Sequence, residues 1–160
     1  SDRDAIENIK EWDITERGIK YNTYRDHNID IFTSDIDGSN TIRLTSARAV
    51  DYQPDWSSDG HWIVFSSLRY DNSEIFKIRT DGTDLERLTS NEYNDDQPAW
   101  SPNGNLIAFV SDRLGSKNIY VMDPDGTNQI QITSSLSGLN SPTWIKCKAG
   151  TLKKGGNSCP

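Results

Sequence analysis

The sequence predicts an all-β protein built of propeller blades, and three observations predict it. Trp12, Trp56, Trp100 and Trp144 stand 44 residues apart. The same interval separates Gly38, Gly82 and Gly126, the pairs Leu44-Thr45, Leu88-Thr89 and Ile132-Thr133, and Arg25, Arg69 and Arg113. Each copy of the 44-residue unit reads as four short strands divided by turn residues, and no segment keeps a helical period. A period of about 40–45 residues carrying four strands marks a blade, a twisted sheet that buries its faces by stacking on neighbours around an axis.

The third copy shows the elements in order. Gln97-Pro98-Ala99-Trp100-Ser101 is the first strand, and Pro102-Asn103-Gly104 is a turn in which glycine supplies a positive φ. Asn105 to Ser111 is the second strand. Its run Leu106-Ile107-Ala108-Phe109-Val110 is nearly continuous in apolar residues, as a strand buried on both faces is. Asn118 to Met122 is the third strand, Asp123-Pro124-Asp125-Gly126 a hairpin turn, and Gln129 to Thr133 a more polar fourth strand. The second copy repeats the pattern with Ile63, Val64 and Phe65, then Ile75, Phe76 and Ile78. The first copy is the most polar: Lys10 stands where Pro54 and Pro98 stand, and Lys20 where Val64 and Ala108 stand. A terminal or interface blade has that character.

The predicted organisation is three full four-stranded repeats, at about 8–50, 51–94 and 95–138, plus the first strand of a fourth at 141–146. Residues 1–146 are thus the repeat domain and 147–160 a C-terminal tail. Three blades leave two open faces, and an orphan inner strand leaves an unpaired edge. The chain could be part of a longer propeller, could pair with a second copy to close a ring, or could donate its last strand to the next chain. The last two make Trp12, Ser141, Pro142, Thr143, Trp144 and Ile145 an expected assembly interface. Trp144 is its anchor.

The residues Trp56-Ser57-Ser58-Asp59-Gly60, Trp100-Ser101-Pro102-Asn103-Gly104, Ile107-Ala108-Phe109, Ser111-Asp112-Arg113-Leu114-Gly115 and Ile119-Tyr120-Val121-Met122-Asp123 resemble the TolB-type, WD-like propeller repeat. The resemblance runs over roughly residues 10 to 146. It implies the propeller fold. It says less about function, because that repeat serves interaction domains, peptidase lids and secreted scaffolds alike. It also implies that relatives are often extracytoplasmic and bind other proteins.

Composition excludes several classes. With 24 acidic and 17 basic side chains the formal charge is -7, the wrong sign for a phosphate backbone. Lys146, Lys148, Lys153 and Lys154 form only a local basic patch. No stretch is long and apolar enough for a membrane-spanning helix. Hydrophobic content is 33%, yet five Trp, six Tyr and four Phe set the chain apart from disordered sequences. Cys147 and Cys159 are either a disulfide closing a short loop or two surface thiols. Exposed free thiols are a liability, which favours the disulfide and an oxidising compartment.

The chemistry of an enzyme is not evident. His27 and His61 have no partner in the other copies and read as surface residues. There is no nucleophile elbow, P-loop or dinucleotide glycine pattern. The two cysteines lack the further ligands of a zinc site. Asp35, Asp37, Asp81, Asp123 and Asp125 flank turn glycines, but their spacing fails the EF-hand loop and fits hairpin-turn chemistry. Asp51, Asp95 and Asp96 precede the innermost strands, where loops rim the axis and could bind a cation or a basic partner. The alternative is a solvated loop face. Arg25, Arg69 and Arg113, repeated in every copy, read as inter-blade ion pairs or as donors to loop carbonyls.

The expectation from sequence is therefore a non-catalytic, extracytoplasmic propeller scaffold, without cofactor or metal, that assembles with itself through terminal strand exchange or blade contacts. The alternatives are a TolB-like protein-binding module that engages another protein at the axial face, or the accessory propeller of a hydrolase.

Overall fold

The structure, a computed structural model, describes residues 19–25, 28–134 and 141–144. Its eleven strands are β1 (Ile19–Arg25), β2 (Asn28–Ser34), β3 (Ile42–Arg43), β4 (Asp51–Trp56), β5 (Trp62–Ser67), β6 (Glu74–Arg79), β7 (Glu86–Arg87), β8 (Asp95–Trp100), β9 (Ile107–Ser111), β10 (Asn118–Met122) and β11 (Ile130–Gln131). They form three antiparallel meanders, β1-β2-β3, β4-β5-β6-β7 and β8-β9-β10-β11. The second and third sheets repeat each other at a spacing of 44 residues, from Asp51 and from Asp95. Trp12, Ile145, Cys147 and Cys159, with the expected disulfide, lie outside the described residues.

The core lies between the sheets, as period-2 alternation requires. Ile63, Phe65, Phe76 and Ile78 face the first sheet and cluster with Ile31 and Leu44. Val64, Ile75 and Leu88, on the opposite face, cluster with Trp100, Ile107, Phe109, Tyr120 and Met122 of the third sheet. The second sheet is thus covered on both faces, which explains the unbroken apolar runs of β5 and β6.

A polar ladder fastens β2, β6 and β10 to the segments after β3, β7 and β11. Thr45, Thr89 and Thr133 accept through Oγ1 from the backbone N–H of Ile31, Ile75 and Ile119 at 3.0, 2.9 and 2.9 Å. Beside them, Asp30 binds Arg43, and Glu74 binds Arg87 at 2.9 Å. The third sheet substitutes neutral Asn118 and Gln131 at those positions. Arg43 Nε, Arg87 Nε and Gln131 Nε2 all donate to the carbonyl of the ladder threonine.

The repeated arginines act within a sheet rather than between blades. Arg69 binds Asp51 at 2.7 Å and Arg113 binds Asp95 at 2.9 Å, each pair joining the end of a second strand to the start of the first strand of the same sheet. The Arg25 side chain is outside the described part. Both aspartates are fully buried, where an unpaired carboxylate would be costly.

The aspartates at the hairpin glycines serve the turns. Asp37, Asp81 and Asp125 each accept from the backbone N–H and the hydroxyl of the residue two further on, Ser39, Thr83 and Thr127. The side-chain hydrogen bond is the main cause that holds all three carboxyls below their ordinary pKa. No group of three metal-binding side chains occurs among the described residues.

Candidate axial binding groove

The first strands of the second and third sheets share an irregularity. In β4 the register shifts between Tyr52 and Asp55, and in β8 between Asp96 and Ala99. At the shift Gln53 and Gln97 take φ of 54° and 57°, left-handed values uncommon for a residue with a Cβ. Pro54 and Pro98 follow, without an N–H to leave unpaired. The strain is supported by the side chains. Gln53 Oε1 accepts from the backbone N–H of Gln97 at 3.1 Å and from Ser66 Oγ at 3.3 Å. Gln97 Oε1 in turn accepts from the backbone N–H of Ser141, which also has a positive φ. Equivalent glutamines therefore pass one hydrogen bond from each innermost segment to the next.

These segments line an open groove of about 490 Å³ bounded by Gln53, Pro54, Asp55, Gln97, Pro98 and Trp144, among others. A backbone N–H can only donate, so the Gln53 atom facing Gln97 is its oxygen, and the amide –NH₂ is left without a partner among the described residues. The same holds for Gln97. Asp55 supplies the charge: Oδ1 pairs with Lys20 at 2.9 Å and Oδ2 accepts from the Trp100 backbone N–H at 2.7 Å.

At the start of β4, Tyr52 Oη donates to Asp96 at 2.5 Å and lies 2.8 Å from Ser73 Oγ. Burial, then the bond to Asp96, pushes the phenol up to about 12. Of the three aspartates expected at an axial rim, Asp51 and Asp95 are sequestered in their arginine pairs. Asp96 alone is partly exposed, and the structure places it beside Tyr52 of the preceding sheet. Ser141, Pro142, Thr143 and Trp144 lie against β8, where Trp144 Nε1 donates to the Ala99 carbonyl at 3.0 Å. They form no ladder of their own among the described residues.

The lining includes amides, prolines, Asp55 and two tryptophans among the described residues. Ser66 Oγ donates to Gln53 Oε1 at 3.3 Å and accepts from the Gln97 backbone N–H at 3.1 Å. His61 is exposed on a turn, where its backbone N–H binds Asp59. Sequence reasoning missed the glutamine relay, although Gln53-Pro54 and Gln97-Pro98 stand one repeat apart.

The comparisons agree with this architecture. A sequence-family profile described as TolB beta propeller domain matches residues 16–144. No curated protein sequence matches significantly. Among solved structures, a protein assigned as TolB from Agrobacterium tumefaciens is 34% identical with a TM-score of 0.67, covering 72% of this chain and 44% of its own. TolB from Acinetobacter baumannii is 24% identical with a TM-score of 0.65, covering 76% of this chain and 31% of its own. The tricorn protease shares the fold at 24% identity and a TM-score of 0.52, over 77% of this chain and 11% of its own. The chain thus spans less than half the length of the TolB structures it matches, and it belongs to the TolB beta propeller domain family.

Proposed function

We propose that the chain is a non-catalytic, extracytoplasmic propeller module that works by protein contact, with the axial groove as its contact surface. The observation that carries the reading is the pair of glutamine amides, repeated on adjacent blades and without an acceptor among the described residues, along a groove walled by prolines. Amide donors at a fixed repeat suit the carbonyls of an extended polypeptide. The tricorn protease has the same fold, so an accessory role beside a catalytic domain makes a distinct prediction, a natural polypeptide longer than this chain by a whole domain.

A photo-crosslinking residue at Ser141 tests the groove in cells. The expected result is a cross-link to a different protein, lost on Pro142→Arg and absent when the probe is moved to Thr127. Equal labelling from Thr127, or a product insensitive to Pro142→Arg, would count against the groove. Self-association is the second reading, and the observation that favours it is the exposure of Ile130 and Ile132, 58% and 59%, at the outer end of the third sheet.

A further inference from the structure

Aspartate–glycine and asparagine–glycine dipeptides recur at half the blade period. Asp37-Gly38, Asp59-Gly60, Asp81-Gly82, Asn103-Gly104 and Asp125-Gly126 stand 22 residues apart. In such a pair the main-chain nitrogen of the second residue readily attacks the side-chain carbonyl carbon of the first, because glycine carries no side chain to hinder it. All five occupy turns between paired strands, and all five are tied in the same way. The glycine N–H, which carries the attacking nitrogen, donates to the carbonyl three residues back at 2.9–3.0 Å. The side-chain oxygen before it accepts from the backbone N–H two residues on at 2.9–3.1 Å.

Asn103 is the amide of the set, and its turn matches that of Asp59 bond for bond. Ser101 Oγ donates to Asn103 Oδ1 at 2.7 Å and accepts from the Leu106 N–H at 2.9 Å. Ser57 Oγ donates to Asp59 Oδ1 at 2.5 Å and accepts from the Trp62 N–H at 2.9 Å. The Asn105 backbone N–H can only donate, so the Asn103 atom it meets is the oxygen. Asn103 Nδ2 then takes no part in the turn, and its exchange for oxygen alters the one polar atom the turn does not use. The Asp59 carboxyl is held below its ordinary pKa, first by the Ser57 hydroxyl and then by the His61 N–H. The second sheet therefore shows how an ionised side chain sits in this turn. Asn103 is exposed, so water reaches it.

We propose that Asn103 is a spontaneous deamidation site gated by opening of the β8–β9 turn. The Gly104 nitrogen gives up its proton to solvent and attacks Asn103 Cγ. The bond from Cγ to Nδ2 breaks, and the nitrogen leaves as ammonia with a proton taken from water. The product is a five-membered succinimide, which one water opens at either carbonyl to aspartate or isoaspartate. The net change is one water consumed and one ammonia released. In the closed turn the attacking N–H is held by the Ser101 carbonyl, and the side-chain oxygen by Ser101 and Asn105. The rate is then the open-turn rate scaled by the fraction of time the turn is open. Aspartate restores the turn that the second sheet already has. Isoaspartate reroutes the main chain through Cβ and Cγ, so the turn gains a backbone atom and its bonds to Oδ1 cannot re-form in the same geometry. The modification leaves either a new charge in an intact turn or a broken turn, one residue from Pro102 in the groove lining. The inference stands on the turn and not on what the groove binds.

Peptide mapping with electron-transfer fragmentation, which separates aspartate from isoaspartate, tests it on the 1–160 chain, folded and in urea at one pH and temperature. Asn103 should convert at least about tenfold more slowly in the folded chain than in the unfolded one. Ser101→Ala removes a donor to Asn103 Oδ1 and should raise the folded rate about fivefold, the effect of one hydrogen bond, with the unfolded rate unchanged. Gly82→Ala, which weakens a turn of the second sheet, should leave the folded Asn103 rate unchanged. Asn103→Asp, the intact-turn product, should melt at the wild-type temperature. Equal folded and unfolded rates would overturn the gating. So would a folded rate indifferent to Ser101→Ala, or one raised as much by Gly82→Ala, which would route the reaction through global unfolding. An Asn103→Asp chain that melts well below the wild type would overturn the equivalence of the two turns on which the proposal rests.

Discussion

The second and third sheets have the same strand order and register, yet their buried polar ladders differ in charge. In the second, fully buried Glu74 binds Arg87, Thr89 and the backbone N–H of Asn91. In the third, Asn118 and Gln131 hold the same places without charge, and Gln131 reaches the Thr133 carbonyl as Arg87 reaches that of Thr89. The repeat therefore preserves the position of donors and acceptors, not their ionisation. Where both partners change together the geometry survives. A change of one partner alone leaves a buried group without its mate.

The largest effect is expected where the two sheets agree. Arg69→Ala and Arg113→Ala each remove the counter-charge of a fully buried aspartate, at a cost of about 3–5 kcal/mol by chemical denaturation. The smaller loss is expected for Arg113→Ala, because Asn91 still donates to Asp95. The paired changes Asp51→Asn with Arg69→Gln should recover most of it, by analogy with the neutral ladder. Failure of the double change to recover would show that this pair, unlike the ladder, depends on charge.

Glycine separates the same two sheets next. Gly82 and Gly126 occupy equivalent turns with φ of 85° and 84°. A Cβ on Gly82 would meet nothing within 4 Å, whereas one on Gly126 would lie 2.5 Å from the Leu88 carbonyl oxygen of the preceding sheet. Gly82→Ala should cost roughly 1–2 kcal/mol from the left-handed conformation alone. Gly126→Ala should cost roughly 3 kcal/mol, because backbone must also move. Equal losses would mean the two turns differ less in packing than their geometry indicates.

The blade architecture was legible because a 44-residue period survives any local ambiguity about strands. The Asp-Gly turns were legible too, since their chemistry is local. What could not be read were partnerships set by burial. Asp51 looked like a rim carboxylate because it precedes an innermost strand, but its partner Arg69 lies 18 residues on and closes it within the sheet. Gln53 and Gln97 carried no turn signal, because glutamine seldom adopts positive φ. Only the next blade's backbone N–H shows why the residue is a glutamine. The exchange of Glu74-Arg87 for Asn118-Gln131 was visible at one repeat spacing, but charge alone did not reveal a shared geometry.

The ladder itself gives a smaller test. Arg87→Gln alone should cost about 2–3 kcal/mol, since Glu74 stays buried with fewer donors. Glu74→Asn together with Arg87→Gln copies the third sheet, and should cost no more than about 1 kcal/mol. Additive losses would break the equivalence of the two sheets.

The least change at neutral pH, and the clearest sign, is expected at Tyr52, which links the two sheets through Asp96. Its folded value of about 12 lies above the ordinary 10.0, so the native state favours the protonated phenol. The stability it contributes is fully present below pH 10 and is lost as pH rises from 10 to about 12. The difference in stability between the protein and its Tyr52→Phe variant should therefore change through that window, with the wild type losing ground. Asp96→Asn should reduce the loss without abolishing it, because burial is the larger cause and the asparagine leaves burial in place. A difference that stays flat from pH 9 to 12 would mean that solvent reaches the phenol, and that the link between the blades at Tyr52 is open.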